Sequence, residues 1–238
     1  RRHNSQQIIS AVKNAQNAGF ANISLDFIYG LPNQSEQMFL QDLKKAVQLG
    51  VKHISLYGLS IESGSYFYNN RPENIADDDT QANMYLNAIE LLKSMNFRHY
   101  EISNFSLEGY ESRHNLNYWN NKEYYGFGVA AHGYINGVRY GNKISIEDYI
   151  KNPFEREQER IETYTDKLEE EIFLGFRKMD GIDTANISSK FGINFEKKYL
   201  KILEKYEKLH FIEKTTKGYK LSPNGALVSN TILADFLE

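Results

Sequence analysis

A chain of 238 residues with 41% hydrophobic and 25% charged side chains has the make-up of a globular protein and can bury one large core or two smaller ones. Its formal net charge of −3 offers neither a basic footprint for nucleic acid nor an acidic tail. The lack of any cysteine removes disulfides, thiolate nucleophiles, zinc fingers and cysteine-held iron–sulfur clusters from this stretch.

No apolar run approaches the roughly 18 to 20 residues that span a bilayer, so no transmembrane segment is expected. The opening Arg1-Arg2-His3-Asn4 is polar and lacks the apolar core of a signal peptide. A helical pattern begins within a few residues and the first residue is not Met, so the sequence is expected to be part of a longer cytoplasmic protein.

Ile8, Ile9, Val12, Ala15 and Ala18 recur at helical spacing, and Gly19 ends that helix. Residues 22–29 form a short apolar run of strand type that stops at Gly30-Leu31-Pro32. Asn33 followed by Glu36 resembles a capping box and predicts a helix to about residue 49. Residues 53–57 are the next strand. Asp77, Asp78 and Asp79 place negative charge at the start of a third helix, and residues 98–105 form a third strand. Such α–β units imply parallel strands with right-handed crossovers, which a doubly wound sheet and a (β/α) barrel both satisfy. In either fold, ligands meet the carboxyl ends of the strands, here residues 26–34, 59–64 and 103–117.

Residues 151–164 are charged, poor in large apolar side chains and interrupted by Pro153, as expected of a linker. Beyond it, Leu168, Ile172, Phe173 and Phe176 mark an amphipathic helix. Asp183 and Asn194 cap two more. Two short strands flank Lys217-Gly218, and Ser222-Pro223 launches a final helix. Three helices, a hairpin and a helix predict a winged-helix-like domain over residues 165–238. Residues 160–238 carry 13 Lys+Arg against 13 Asp+Glu, interleaved, so no binding of nucleic acid is expected.

Asp26 stands inside an apolar strand, where a carboxylate is costly to bury unpaired. It either points outward from an edge strand or faces a ligand, where an acceptor-only group suits ribose hydroxyls or an ammonium. The run Arg113-His-Asn-Leu-Asn-Tyr-Trp119 is the densest polar–aromatic cluster and holds the single Trp. Its His114 suits axial ligation of a flat apolar cofactor, or else simply bonds its own loop while Trp119 plugs the core. Gly126-Phe-Gly-Val-Ala-Ala-His-Gly133 resembles a small-residue strand with close backbone approach, in which His132 is a ligand-facing or a core residue. His3, His53, His99 and His210 lack metal-ligand spacing and are expected to be surface or packing residues.

Together these segments carry a family resemblance. Ser24-Leu-Asp-Phe-Ile-Tyr-Gly-Leu-Pro-Asn-Gln34, His53-Ile-Ser-Leu-Tyr57 and Ile61-Glu-Ser-Gly64 resemble radical-SAM proteins of the oxygen-independent coproporphyrinogen III oxidase family. His114-Asn-Leu-Asn-Tyr-Trp119 with Tyr125-Gly-Phe-Gly-Val-Ala-Ala-His-Gly133 is similar to the heme chaperone HemW branch. The resemblance implies an α/β fold in which residues 1–150 are the rear part of an incomplete TIM-like barrel. It implies S-adenosylmethionine across the open end of that barrel, with Asp26 on its ribose, Arg1 on its carboxylate, and Ser60 and His132 on the cofactor side. It implies a [4Fe–4S] cluster held by a cysteine loop upstream, and heme at His114. The function expected is heme binding and delivery, with heme or porphyrin and a heme-accepting protein as partners. The alternative is oxidative decarboxylation of coproporphyrinogen III, for which an upstream cysteine beyond the cluster ligands would speak.

Overall fold

The computed structural model describes residues 3–237 and divides into two compact units between Glu111 and Ser112. In the first, helix α1 (Ser5–Asn17) precedes strand β1 (Ser24–Tyr29), helix α2 (Glu36–Gln48) and strand β2 (His53–Gly58). A short α3 (Tyr66–Asn69), helix α4 (Asp78–Ser94) and strands β3 (Arg98–Glu101) and β4 (Asn104–Ser106) complete it. The sheet order is β1-β2-β4-β3.

Local chemistry sets these boundaries. Asn4 and Gln7 form a reciprocal capping box at α1. Asp77 caps α4, accepting from the Thr80 N–H at 2.8 Å. The cap of α2 is Ser35, which accepts from the Met38 N–H, and not the expected Asn33. Asn33 instead adopts φ +60° and bonds Asn74, its N–H donating to the Asn74 carbonyl at 3.0 Å.

The sheet is less parallel than expected. Strands β1 and β2 pair in parallel, but β4 runs antiparallel to both β2 and β3. The single strand expected over residues 98–105 is broken by a tight turn at Ile102 and Ser103. Two side chains fix that turn through one acceptor, the Ile102 carbonyl. It takes the Tyr85 hydroxyl at 2.7 Å and the His99 Nε2–H at 3.1 Å.

Leu25, Phe27, Tyr29, Ile54, Leu56 and Phe105 share one face of the sheet, following the two-residue period of a strand. Phe39 and Leu43 of α2 and Met84, Ala88 and Leu92 of α4 are buried with them. The opposite face carries the polar Ser24, Asp26, His53, Ser55, Asn104 and Ser106, with Ile28 and Tyr57 at the carboxyl end of its two parallel strands.

The second unit opens with α5 (Arg113–Trp119), then β5 (His132–Ile135), β6 (Val138–Asn142), α6 (Ile146–Lys151) and β7 (Arg156–Ile161). The three strands form an antiparallel sheet in chain order. Strand β7 lies within residues 151–164, expected to be a linker, and the compact units do not divide at residue 150. Its sequence Arg-Glu-Gln-Glu-Arg-Ile has no apolar alternation. The backbone ladder to β6 makes it a strand, and its charges suit an edge. The stretch 126–133 is likewise not one strand. Gly128 (φ +101°) and Ala130 (φ +56°) turn the chain, and only His132 and Gly133 of it enter β5.

Helices α7 (Tyr164–Phe176), α8 (Thr184–Phe191) and α9 (Phe195–Lys208) follow, with short strand β8 (Ile182–Asp183) before α8. Strands β9 (Ile212–Lys214) and β10 (Gly218–Leu221) and helices α10 (Pro223–Leu227) and α11 (Ser229–Ala234) end the chain. The sheet order is β8-β10-β9. Phe176, Phe195, Phe236, Ile172 and Leu203 form the core, with Phe236 5.5 Å from Phe176 and 5.2 Å from Tyr199 between ring centres. The expected final helix is two helices, because Val228 leaves helical geometry at φ −114°, ψ 21°. Among the described residues no helix is long and apolar enough to cross a membrane.

Candidate functional site

The polar face of the first sheet holds Asp26. Strand β1 is an edge of that sheet, and the Asp26 side chain is exposed. Among the described residues it has no ion-pair partner, so its oxygens are available as acceptors. Directly across lie Ser55, then Asn104, then Glu101, in register on neighbouring strands. These three are buried, and Asn104 Nδ2 donates to Glu101 Oε1.

One register position earlier, the His53 ring links two hydroxyls. Its Nδ1 lies 2.7 Å from Ser24 Oγ and its Nε2 2.7 Å from Tyr100 Oη. Burial holds the His53 pKa below the ordinary imidazole value, partly opposed by the nearby Asp26 and Glu111 carboxylates.

The carboxyl ends of β1 and β2 run into glycines, for which there is a steric reason at one of them. Gly30 has φ +79°, and a Cβ there would strike the Gln81 side chain of α4. The Leu59 N–H donates to the Tyr29 carbonyl at 2.9 Å, carrying the parallel pairing one residue beyond β2. Ser60 follows at once. Its hydroxyl donates to Glu62 Oε1 at 2.5 Å, and it helps line a cavity of about 580 Å³ with Arg71, Asp77, Asp78 and Gln81. Asp26 thus lies on β1, and Ser60 follows the adjacent strand β2, past the end that parallel α/β folds use for ligands. Arg1 lies outside the described residues.

In the second unit, His114 sits on a helix where a loop was expected. Ser112 caps it, accepting from the Asn115 N–H at 3.2 Å. The imidazole is exposed and meets the Tyr118 ring edge-on, with centroids 4.9 Å apart and planes at 90°. Tyr118 meets Tyr124 in the same way at 4.6 Å. The Trp119 ring carries the Arg177 guanidinium at 4.9 Å, and its buried indole N–H has no hydrogen-bond acceptor among the described residues.

His132 begins β5 and is exposed, which excludes the core reading. The ring ladder from His114 through Tyr118 ends at Tyr124, whose backbone pairs with Tyr134 of β5 by two hydrogen bonds of 2.8 and 2.9 Å.

A third cluster had no counterpart in the sequence reading. Arg139 of β6 binds Glu162 at 2.5 Å and Glu170 at 2.7 Å through Nε, and Glu170 again through Nη2. Its guanidinium lies 4.4 Å from the centre of the Tyr134 ring. Burial alone would lower the Arg139 pKa, but the two carboxylates raise it. Burial pushes Tyr134 up to about 12, with Glu162 acting in the same direction. Arg139 and Glu170 also line a cavity of about 410 Å³ with Tyr118, Trp119, Tyr124 and Phe173. No spacing signals this cluster, since its members come from three elements.

Among the described residues no group of three or more His, Asp or Glu is placed to hold a metal ion.

Residues 163–228 match the family model described as the HemN C-terminal domain. Over 236 residues the chain is 36% identical to heme chaperone HemW of Lactococcus lactis, covering 94% of this chain and 62% of that protein. It is 32% identical over 242 residues to heme chaperone HemW of Bacillus subtilis, covering 99% and 64%. The chain thus spans less than two thirds of the length of these relatives. Among solved structures, coproporphyrinogen III oxidase HemN from Escherichia coli, a radical SAM enzyme, superposes with a TM-score of 0.82 at 16% identity. That superposition covers 99% of this chain and 59% of HemN. Residues 163–228 thus belong to the HemN C-terminal domain family, and nearly the whole chain is related in sequence to heme chaperones named HemW.

Proposed function

We propose that this chain is the heme- and cofactor-facing part of a heme-binding and delivery protein of the HemW type. The observation that carries the reading is His114. It is an exposed imidazole, edge-on to Tyr118, in a segment that resembles the HemW branch. A neutral imidazole is a good ligand for heme iron, and aromatic rings pack well against a porphyrin. Coproporphyrinogen oxidation is less favoured, because the relatives that match along nearly the whole chain carry the heme chaperone name.

S-adenosylmethionine, when bound, supplies radical chemistry to members of this family. Asp26 would accept its ribose hydroxyls, which an exposed carboxylate without an ion-pair partner among the described residues suits. Ser60 and His132 would lie on the cofactor side, and Arg1 would meet the cofactor carboxylate. The [4Fe–4S] cluster does not fit this stretch, because the chain has no thiolate to ligate it. In the finer fold reading, the first sheet is part of an incomplete TIM-like barrel and residues 165–238 form a winged-helix-like module without a nucleic-acid role. The whole protein would act in the cytoplasm and pass heme to an accepting protein.

Hemin titration tests the reading. The chain should bind hemin with a protein-shifted Soret band. A spectrum identical to that of free hemin at all protein concentrations would refute it.

A further inference from the structure

Tyr125 and Phe127 are 67% and 83% exposed, yet the backbone between them is held from several sides. The Gly126 N–H donates to Tyr140 Oη at 3.0 Å, and the Gly128 N–H to Tyr149 Oη at 2.9 Å. The Asn142 amide, itself 2% exposed, donates to the Gly126 carbonyl at 3.1 Å and the Gly128 carbonyl at 2.8 Å. A side chain on Gly126 would run into the His132 carbonyl, so this glycine lies flat against the start of β5. Alternate residues of an extended segment point to the same side. With Gly126 pressed inward, Tyr125 and Phe127 both project outward. Their rings are stacked, with centroids 5.9 Å apart and planes 28° from parallel.

From this we infer that Tyr125 and Phe127 form a fixed platform for the face of a tetrapyrrole macrocycle, beside His132. The inference deepens the heme-binding reading and rests on it. Two conjugated rings held nearly parallel suit a flat conjugated ligand by dispersion and stacking. Residues 125–133 contain no Asp, Glu, Lys or Arg, so the segment offers nothing to recognise a charged peptide. The hydrogen bonds to Gly126 and Gly128 fix the backbone in advance, so binding does not have to order it. Because Gly126 abuts the His132 backbone, the platform sets one edge of the macrocycle next to the residue assigned to the cofactor side.

The test is titration of hemin and of metal-free protoporphyrin IX into wild type, Tyr125→Ser/Phe127→Ser and His114→Ala. Thermal melts and sedimentation accompany each. Both platform side chains are exposed, so the double variant should melt like wild type. It should bind both porphyrins about tenfold or more weakly. Its hemin-bound Soret maximum should not move, because the iron ligand is untouched. Wild-type affinity for both porphyrins in the folded double variant would overturn the platform alone. Absence of porphyrin binding by wild type would remove the heme reading and the platform with it. A wild-type dimer that the double variant abolishes, with porphyrin affinity unchanged, would make this face a contact between copies and overturn the inference. A loss of affinity in the double variant with His114→Ala unaffected would uphold the platform and move the iron ligand elsewhere.

Discussion

The guanidinium of Arg139 grips the Glu170 carboxylate with two nitrogens while the same Nε reaches Glu162 at 2.5 Å. Glu162 directly precedes Thr163, the cap of α7, and Glu170 lies on α7 itself. Strand β6 is thereby tied to the helix that opens the HemN C-terminal domain match. The Glu162 side chain is 1% exposed, so removing its cation strands a buried charge. Arg139→Met should lower stability by about 2 to 3 kcal/mol, below the full cost of a buried pair because the arginine has an open side. Arg139→Met/Glu162→Leu should recover most of that loss. Denaturant melts of the two variants decide it. A single variant as stable as wild type would show that the pair contributes nothing.

Stability should also fall with acid through His99. This ring is stacked on Phe105 with centroids 4.3 Å apart, and burial lowers its pKa to about 4. In the unfolded chain a histidine titrates near 6.5. Between those values the unfolded state binds the extra proton, so stability declines as pH falls through this window and is level above it. The decline from this group is about 3 kcal/mol at most. His53, also lowered by burial, acts in the same direction. Melting temperatures at pH 7.5, 6, 5 and 4.5 should fall progressively, and less steeply for His99→Gln. Identical slopes for the two proteins would contradict the assignment.

The elements legible in the sequence are those whose signal is local. Helices α1, α2 and α4 each combine an apolar stripe with a polar cap, and β1 and β2 are short apolar runs ended by glycine. Strand β7 has neither mark. It exists because β6 supplies a backbone ladder, with the Arg156 guanidinium lying 4.1 Å from the Tyr140 ring centre. The break between β3 and β4 was hidden for a related reason, since the turn at Ile102 is fixed by Tyr85 from a distant helix. Asp26 stood out because a carboxylate among Leu25, Phe27 and Ile28 violates the pattern of a buried strand. Arg139 and Glu170 violate no local pattern, and only the fold brings them together.

Asp26 should matter to S-adenosylmethionine and little to folding. It is exposed on an edge strand and pairs with no cation among the described residues. Asp26→Ala should weaken S-adenosylmethionine binding by about 1.5 to 3 kcal/mol, the range for hydrogen bonds to a charged group. The thermal melt should not change. Calorimetry on this chain, or on any longer protein that carries it, gives the affinity. Equal affinities for wild type and a folded Asp26→Ala would end the ribose assignment.

His114 is the residue on which the heme reading turns, and its two roles predict opposite results. As a ligand, the exposed ring loses its iron when replaced, and nothing in the core depends on it. As a structural residue, it would support Tyr118 and, through Tyr118, the ring of Tyr124. Edge-to-face contacts of this kind are worth about 0.5 to 1.5 kcal/mol. Part of that is already discounted at an exposed site, so His114→Ala should melt close to wild type. Its hemin complex should bind more weakly and show a displaced Soret maximum, because an axial nitrogen is gone. His114→Phe sharpens the comparison, since it keeps the edge-on contact with Tyr118 but cannot ligate iron. Both variants should show the same spectral change if the nitrogen is the cause. Should His114→Phe restore the wild-type spectrum, or should His114→Ala lose stability with its Soret band unmoved, the ring would be a packing element and the iron would have another ligand.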